Sequence, residues 1–219
     1  MKTLIPAFLA FSLLGSVPAE QTIDYRFDEV RRNVLLTSAN RELRAQRGDR
    51  AQSGDTVRTG WFSYALIASD RYRAKFEIYS STNVQLAGAA PGVILSLERG
   101  SLRAIFDKIT GDEPRVVQTP GALLAVRGTQ YTVNVDGAGR TTLDVYEGIV
   151  EVRSELLREP MLVHAGEESR FGRHQPPVVM PMPDHRQPGR MGDPDRGDPR
   201  GMGPRNPQGM PPAKPGGHH

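Results

Sequence analysis

Residues 119–152, TPGALLAVRGTQYTVNVDGAGRTTLDVYEGIVEV, leave little choice of secondary structure. Tyr131, Val133 and Val135 alternate with Thr132, Asn134 and Asp136. After Gly137-Ala138-Gly139 the alternation resumes at Leu143, Val145, Val150 and Val152. A period of two, rich in β-branched and aromatic residues, suits half-buried strands and breaks up the apolar stripe that a helix needs. The stretch predicts two alternating strands joined by a glycine-rich hairpin. Thr119 precedes proline and is driven to an extended conformation, so Thr119-Pro120 reads as the lead-in to a strand.

The same period recurs upstream at Phe76 and Ile78, Val84 and Leu86, Leu95 and Leu97, and Leu102 and Ala104. Glycine, serine and aspartate punctuate it at short intervals, which predicts many short strands with tight turns. Residues 24–47 carry charges that suit a helix, but Val34-Leu35-Leu36-Thr37 before Ser38-Ala39-Asn40 favours a strand at about 30–37 followed by a loop. Leu95–Ala104 also aligns with Leu143–Val152, with the apolar positions and the glycines Gly100 and Gly148 coinciding. Two copies of strand–glycine–strand imply a repeated corner where a Cβ would clash. The expected fold is all-β: a β-solenoid-like stack or a double-sheet roll.

Composition sets the limits around this core. Lys2, the apolar run Leu4–Leu14 and Val17-Pro18-Ala19 have the form of a cleavable export signal, cut after Ala19. The run falls short of the roughly 20 residues that span a bilayer, so no membrane span is expected. The protein is therefore expected to be periplasmic or secreted. It has no cysteine, which rules out thiol catalysis, disulfides and a lipoprotein anchor. Residues 20–171 carry 20 Lys/Arg against 21 Asp/Glu, so the net charge of +3 comes from Lys2 and the tail, and no nucleic-acid partner is expected. From Gly172 onward proline, glycine, arginine and methionine dominate without any aromatic residue, and residues 172–219 read as a disordered tail. This leaves 20–171 as one domain.

Five motifs in order resemble the FecR domain. They are Gly54-Asp55-Thr56-Val57-Arg58-Thr59-Gly60 with Ser63–Ile67; Leu95–Leu102; Thr119-Pro120 through Arg127-Gly128-Thr129 to Val133; Glu147-Gly148 to Val152; and Ala165-Gly166-Glu167. The resemblance covers roughly residues 30–171 and implies that Gly54, Asp55, Thr59, Gly60, Gly100, Thr119, Pro120, Arg127, Gly128, Thr129 and Gly148 define the fold. Ala122, Ala125 and Gly128 are small where layers approach, and Arg127 has five donors with which to brace a turn. The founding FecR protein spans a membrane and contacts a sigma factor in the cytoplasm. The expected cleavable signal points instead to a stand-alone exported member, for which the resemblance implies interaction more than chemistry. Ala68-Ser69-Asp70-Arg71 stands where the family tends to have Asp-Gly, which implies a looser hairpin.

No set of residues reads as catalytic, and no cofactor or metal site is expected in the core. His164 beside Glu167 and Glu168 has no partner motif, and adjacent residues on a strand face opposite ways. The tail places Met180, Met182, Met191, Met202 and Met210 near His174, His185, His218 and His219, a copper-like ligand set without clustering. Three functions remain. The first is an exported module binding a protein or envelope partner, possible in signal sensing. The others are a polymer-binding envelope protein attached through its basic tail, and copper handling.

Overall fold

The computed structural model describes residues 24–87, 92–108 and 115–183. The expected signal, most of the tail and the turn at Gly111-Asp112 lie outside them. Among the described residues there are seventeen strands and no helix. In chain order these are β1 (Asp24–Arg31), β2 (Val34–Ser38), β3 (Arg41–Arg44), β4 (Arg50–Gln52), β5 (Thr56–Thr59) and β6 (Tyr64–Ser69). Next come β7 (Ala74–Ile78), β8 (Asn83–Leu86), β9 (Val93–Phe106), β10 (Arg115–Gln118), β11 (Leu123–Val126) and β12 (Gln130–Val135). The last five are β13 (Thr141–Glu147), β14 (Ile149–Arg153), β15 (Met161–His164), β16 (Glu167–Gly172) and β17 (Gln175–Pro181).

Pairing sorts the strands into two halves of one mixed sheet. The first half runs β4-β1-β6-β7-β9-β12-β13-β16-β17. The second runs β3-β2-β5-β8-β9-β10-β11-β14-β15. β9 belongs to both. Its first part lies between β8 and β10, and its second part lies between β7 and β12. Elsewhere the chain crosses repeatedly between the halves, usually after a hairpin.

Period-two alternation turns one face of each strand inward. Tyr25, Phe27, Ile67, Phe76, Tyr131 and Phe171 of the first half and Val57, Leu86, Leu95, Leu97, Leu124 and Val150 of the second form one contiguous buried core. Phe106 links aromatic rings within it, 5.7 Å from Phe76 edge-on and 6.3 Å from Tyr131 stacked. Such a core agrees with the all-β expectation.

Several local expectations are corrected. The start is two strands rather than one: β1 ends at Arg31, Arg32 takes a φ of +61°, and the chain changes halves before β2. A further strand, β3, follows where a loop was expected. Residues 119–152 hold four strands, because the chain also changes halves at Gly128 and Gly148. Thr119-Pro120 forms the turn between β10 and β11: Thr119 N–H donates to Ala122 O at 2.9 Å, and Thr119 Oγ1 bonds the same residue's backbone. The folded region also continues past Phe171. β17 pairs along β16 with Val178 opposite Arg170 and Met180 opposite Glu168. Prolines fit there because an edge strand needs only one set of ladder bonds. The β6–β7 hairpin is closed rather than loose. Arg73, at φ +47°, takes the conformation a glycine would supply, and its N–H donates to Asp70 O at 3.2 Å.

Candidate interaction surface

The motif residues gather at the two ends of the strands, where the chain changes halves. At one end stand Thr59, Gly60, Gly100, Thr119 and Pro120; at the other, Gly54, Asp55, Arg127, Gly128, Thr129 and Gly148. Asp55, buried, closes its turn by accepting the Gln52 N–H at 2.8 Å, while its own carbonyl accepts from Leu86 N–H. Gly128 and Gly148 abut one another: a Cβ on Gly148 would lie 2.8 Å from Gly128 O and from the Thr129 methyl. Phe106 N–H donates to Thr129 O at 2.9 Å, tying this corner to the end of β9. Arg127 stands exposed between β11 and β12. Thr119 and Pro120 line an open cleft of about 680 Å³ with Leu123, Arg153, Leu156 and Arg173.

Around Thr59-Gly60 four chain crossings are knitted together by short polar side chains. Gly60 N–H donates to Asn33 O at 2.9 Å, and Asn33 N–H donates to Ser63 Oγ at 3.1 Å. Ser80 Oγ donates to Ser63 O at 3.2 Å, and Ser81 N–H donates to Gly60 O at 3.1 Å. Thr59 Oγ1 accepts from Thr82 N–H, and Thr82 Oγ1 accepts from Ser101 N–H. The outcome is a rigid corner built from β1–β2, β5–β6, β7–β8 and the middle of β9.

That corner presents two large aromatic side chains to solvent. Trp61, the chain's one tryptophan, is 82% exposed and Phe62 is 71% exposed. Their rings meet edge to face at 6.3 Å, and the Arg32 guanidinium lies 5.6 Å from the Phe62 centroid. Phe62 has φ +53°, and Arg32 and Ser81 also have positive φ, at 61° and 56°. For a bulky side chain the left-handed region costs on the order of 1–2 kcal/mol. Burying these rings would release solvent from apolar surface, yet the corner holds them out at a conformational cost. Beside them Arg31 lies 5.3 Å from the Tyr64 ring, and Tyr64 is 6.0 Å from Tyr79. Tyr79 donates to Glu77 at 2.6 Å, and burial, then this bond, raises its phenol above the ordinary range. The surface is thus aromatic and cationic.

Sequence reading passed from Gly60 to Ser63 without marking Trp61 or Phe62. The available signal was an aromatic pair inside a turn rather than at an alternating strand position. It also missed Arg115, which is buried and donates to Tyr72 O at 3.5 Å and Asp107 O at 3.3 Å, with Phe106 beneath it. No group of three or more metal-ligating side chains occurs among the described residues. His164 and Glu167 do meet, but through the backbone: the Glu167 carboxylate accepts the His164 N–H at 2.7 Å. No helix among the described residues is long and apolar enough to cross a membrane.

Residues 55–151, from the Asp55 turn to β14, match the family described as FecR protein. This region is a FecR domain. The FecR family is regulatory and non-enzymatic, and the match supports a signalling or regulatory role. No protein of curated function matches the chain. Two crystal structures of a candidate anti-sigma factor from Parabacteroides distasonis ATCC 8503 are similar to it at 14% identity, with TM-scores of 0.48 and 0.46. Each alignment covers 57% of this chain and 59% of the other, so the match spans well under two thirds of those chains.

Proposed function

We propose that this FecR-domain protein is a non-enzymatic, exported interaction module that binds a partner protein in the periplasm. Two sequence features support export: the apolar run behind Lys2 and the small residues before Glu20. The observation that carries the binding reading is the exposed Trp61–Phe62 pair, in which Phe62 stands on left-handed backbone beside the Arg32 guanidinium. Tryptophan and arginine dominate the energetics of protein interfaces, and strained backbone persists where function holds it. A fixed aromatic surface also loses little conformational entropy on binding.

The test places a photo-crosslinking residue at position 64 in the full chain, in cells, with and without Trp61→Ala and Phe62→Ala. A discrete partner captured by the parent and lost from the double variant is expected. Identical capture by both would end the reading. Export is tested separately by fractionation and N-terminal sequencing, with a mature N-terminus at Glu20 expected.

A further inference from the structure

The chain's charge is nearly balanced, but its distribution is not. β3 is the outer strand of the second half and β4 the outer strand of the first, and residues 45–49 bridge them along one side of the fold. Within residues 41–50 this side carries Arg41, Arg44, Arg47 and Arg50, all exposed. Two acids lie among them, one ion-paired and one held by a backbone N–H. Glu42 pairs with Arg58 at 2.5 Å, and the Asp49 carboxylate accepts the Gln46 N–H at 2.8 Å. Among the described residues none of the four arginines makes an ion pair. Leu43, between the first two, is 58% exposed although its strand neighbour Leu36 is buried. Arg50 also lines a cleft of about 250 Å³ with Arg26 and Arg71, beside Asp24 and Asp70.

Guarding a sheet edge against pairing with another strand explains charges on β3. It does not explain Arg47, which lies in the bridge rather than on a strand, nor the use of arginine for all four cations. Four cations within about a dozen residues lie within a few Debye lengths of one another, about 8 Å each at physiological salt, and act on a charged surface together. Guanidinium matches phosphate oxygens in a two-pronged geometry that ammonium lacks. An exposed large aliphatic side chain within a run of arginines suits a segment that enters a lipid headgroup layer, apolar tip down and cations at the phosphates.

The geometry points to this arginine edge as a docking surface for a phosphate-bearing anionic lipid surface, separate from the Trp61–Phe62 corner. Leu43 selects a membrane over a soluble polyanion, because a dissolved polymer offers nothing apolar to receive it.

The full chain is sedimented with vesicles of phosphatidylcholine alone and of phosphatidylcholine with phosphatidylglycerol, at low and high salt. It is compared with Arg41→Gln/Arg44→Gln/Arg47→Gln/Arg50→Gln and with Leu43→Ser, each checked for native circular dichroism. Binding is expected only to the anionic vesicles and is expected to weaken with salt. The fourfold variant should lose affinity by about 100-fold or more, at about fivefold per arginine, and Leu43→Ser by a few-fold. Retained binding by the fourfold variant would overturn the assignment, since the cations elsewhere in the chain would then suffice. Inorganic polyphosphate binding as tightly as vesicles, with Leu43→Ser without effect, would also overturn it and would identify a soluble-polyanion site. Absence of binding to any vesicle would do the same.

Discussion

Leu95–Ala104 and Leu143–Val152 share their apolar positions and their glycine, yet the first remains one strand and the second becomes two. At Gly100 the chain passes from the second half to the first without leaving the ladder. Arg99 pairs with Asn83, and one turn of the pleat later Leu102 pairs with both Ile78 and Val133. At Gly148 it passes the other way and the ladder breaks: Glu147 pairs with Gln130, then Ile149 with His164. The two corners sit at opposite ends of the strands. Both have positive φ, +104° and +79°, but they are crowded differently. A Cβ on Gly100 would lie 2.5 Å from Thr82 Cα, whereas on Gly148 its closest neighbours are Gly128 O and the Thr129 methyl at 2.8 Å. The motif thus encodes a left-handed residue without a Cβ. The direction of crossing comes from the strands waiting on either side.

The largest expected effect tests that crowding. Gly100→Ala should cost at least about 4 kcal/mol or prevent folding, and Gly148→Ala about 3 kcal/mol, because the atoms met include backbone that cannot move aside. Gly139→Ala, also left-handed at +78° but with nothing closer than 3.7 Å, should lose only about 1 kcal/mol in the same urea titration. Equal costs at Gly100 and Gly139 would remove close approach as the difference between corners.

Next in size are the polar braces of the two ends. Arg115→Met removes the donor to Tyr72 O and Asp107 O and should cost about 2–3 kcal/mol. Thr82→Val removes the hydroxyl that accepts from Ser101 N–H beside Gly100 and should cost about 1–2 kcal/mol. If Thr82→Val proved the costlier, the Gly100 corner would depend on its hydroxyl more than the opposite end depends on its arginine.

Tyr131 supplies a smaller effect of opposite sign. Its hydroxyl is buried without a hydrogen-bond partner among the described residues, so Tyr131→Phe should raise stability by up to about 1 kcal/mol. Burial holds the Tyr131 and Tyr25 phenols above their ordinary value of 10.0. The neutral form is then favoured in the folded state, so this contribution is full below pH 10 and is lost as pH climbs above it, where the unfolded chain ionises. Tyr131→Phe should flatten that alkaline decline in thermal melts. Smallest is Phe62→Gly, expected to gain about 1 kcal/mol or less by relieving left-handed strain, while abolishing partner capture at the corner. A clear loss of stability would make the ring part of the packing rather than of the interaction surface.

How much of this was legible follows from how local each signal is. Period-two alternation at Tyr131–Val135 and glycine at positions 100 and 148 depend on the backbone of a few residues, so strands and corners could be read directly. The assignment of a strand to one half or the other depends on partners far along the chain, which is why the breaks at Arg32 and Gly128 were not read. β17 was hidden by its own composition, since Pro176, Pro177 and Pro181 look like breakers until an edge position makes their missing N–H groups harmless. Trp61 and Phe62 look like core in any hydrophobic count, and only their turn position betrays them. Arg115 looks like surface, because the carbonyls that satisfy it are contributed by residues 72 and 107. The arginine edge was concealed by averaging, as its excess disappears in the balance of the whole folded region.

β9 contributes fourteen residues to both halves, held by β7, β8, β10 and β12 on its flanks. Unfolding either half would strip β9 of bonds that the other half also uses, so the halves are expected to melt together in a single transition. The consequence reaches into biosynthesis. An emerging chain cannot complete the first half until β12 to β17 have appeared, although β1 to β8 are already available on one side. The early strands must wait, with their apolar faces only partly covered, for a sequence still being made. That interval is the one in which a folding helper would find most to hold, and under the proposed export the helper would stand on the far side of the membrane.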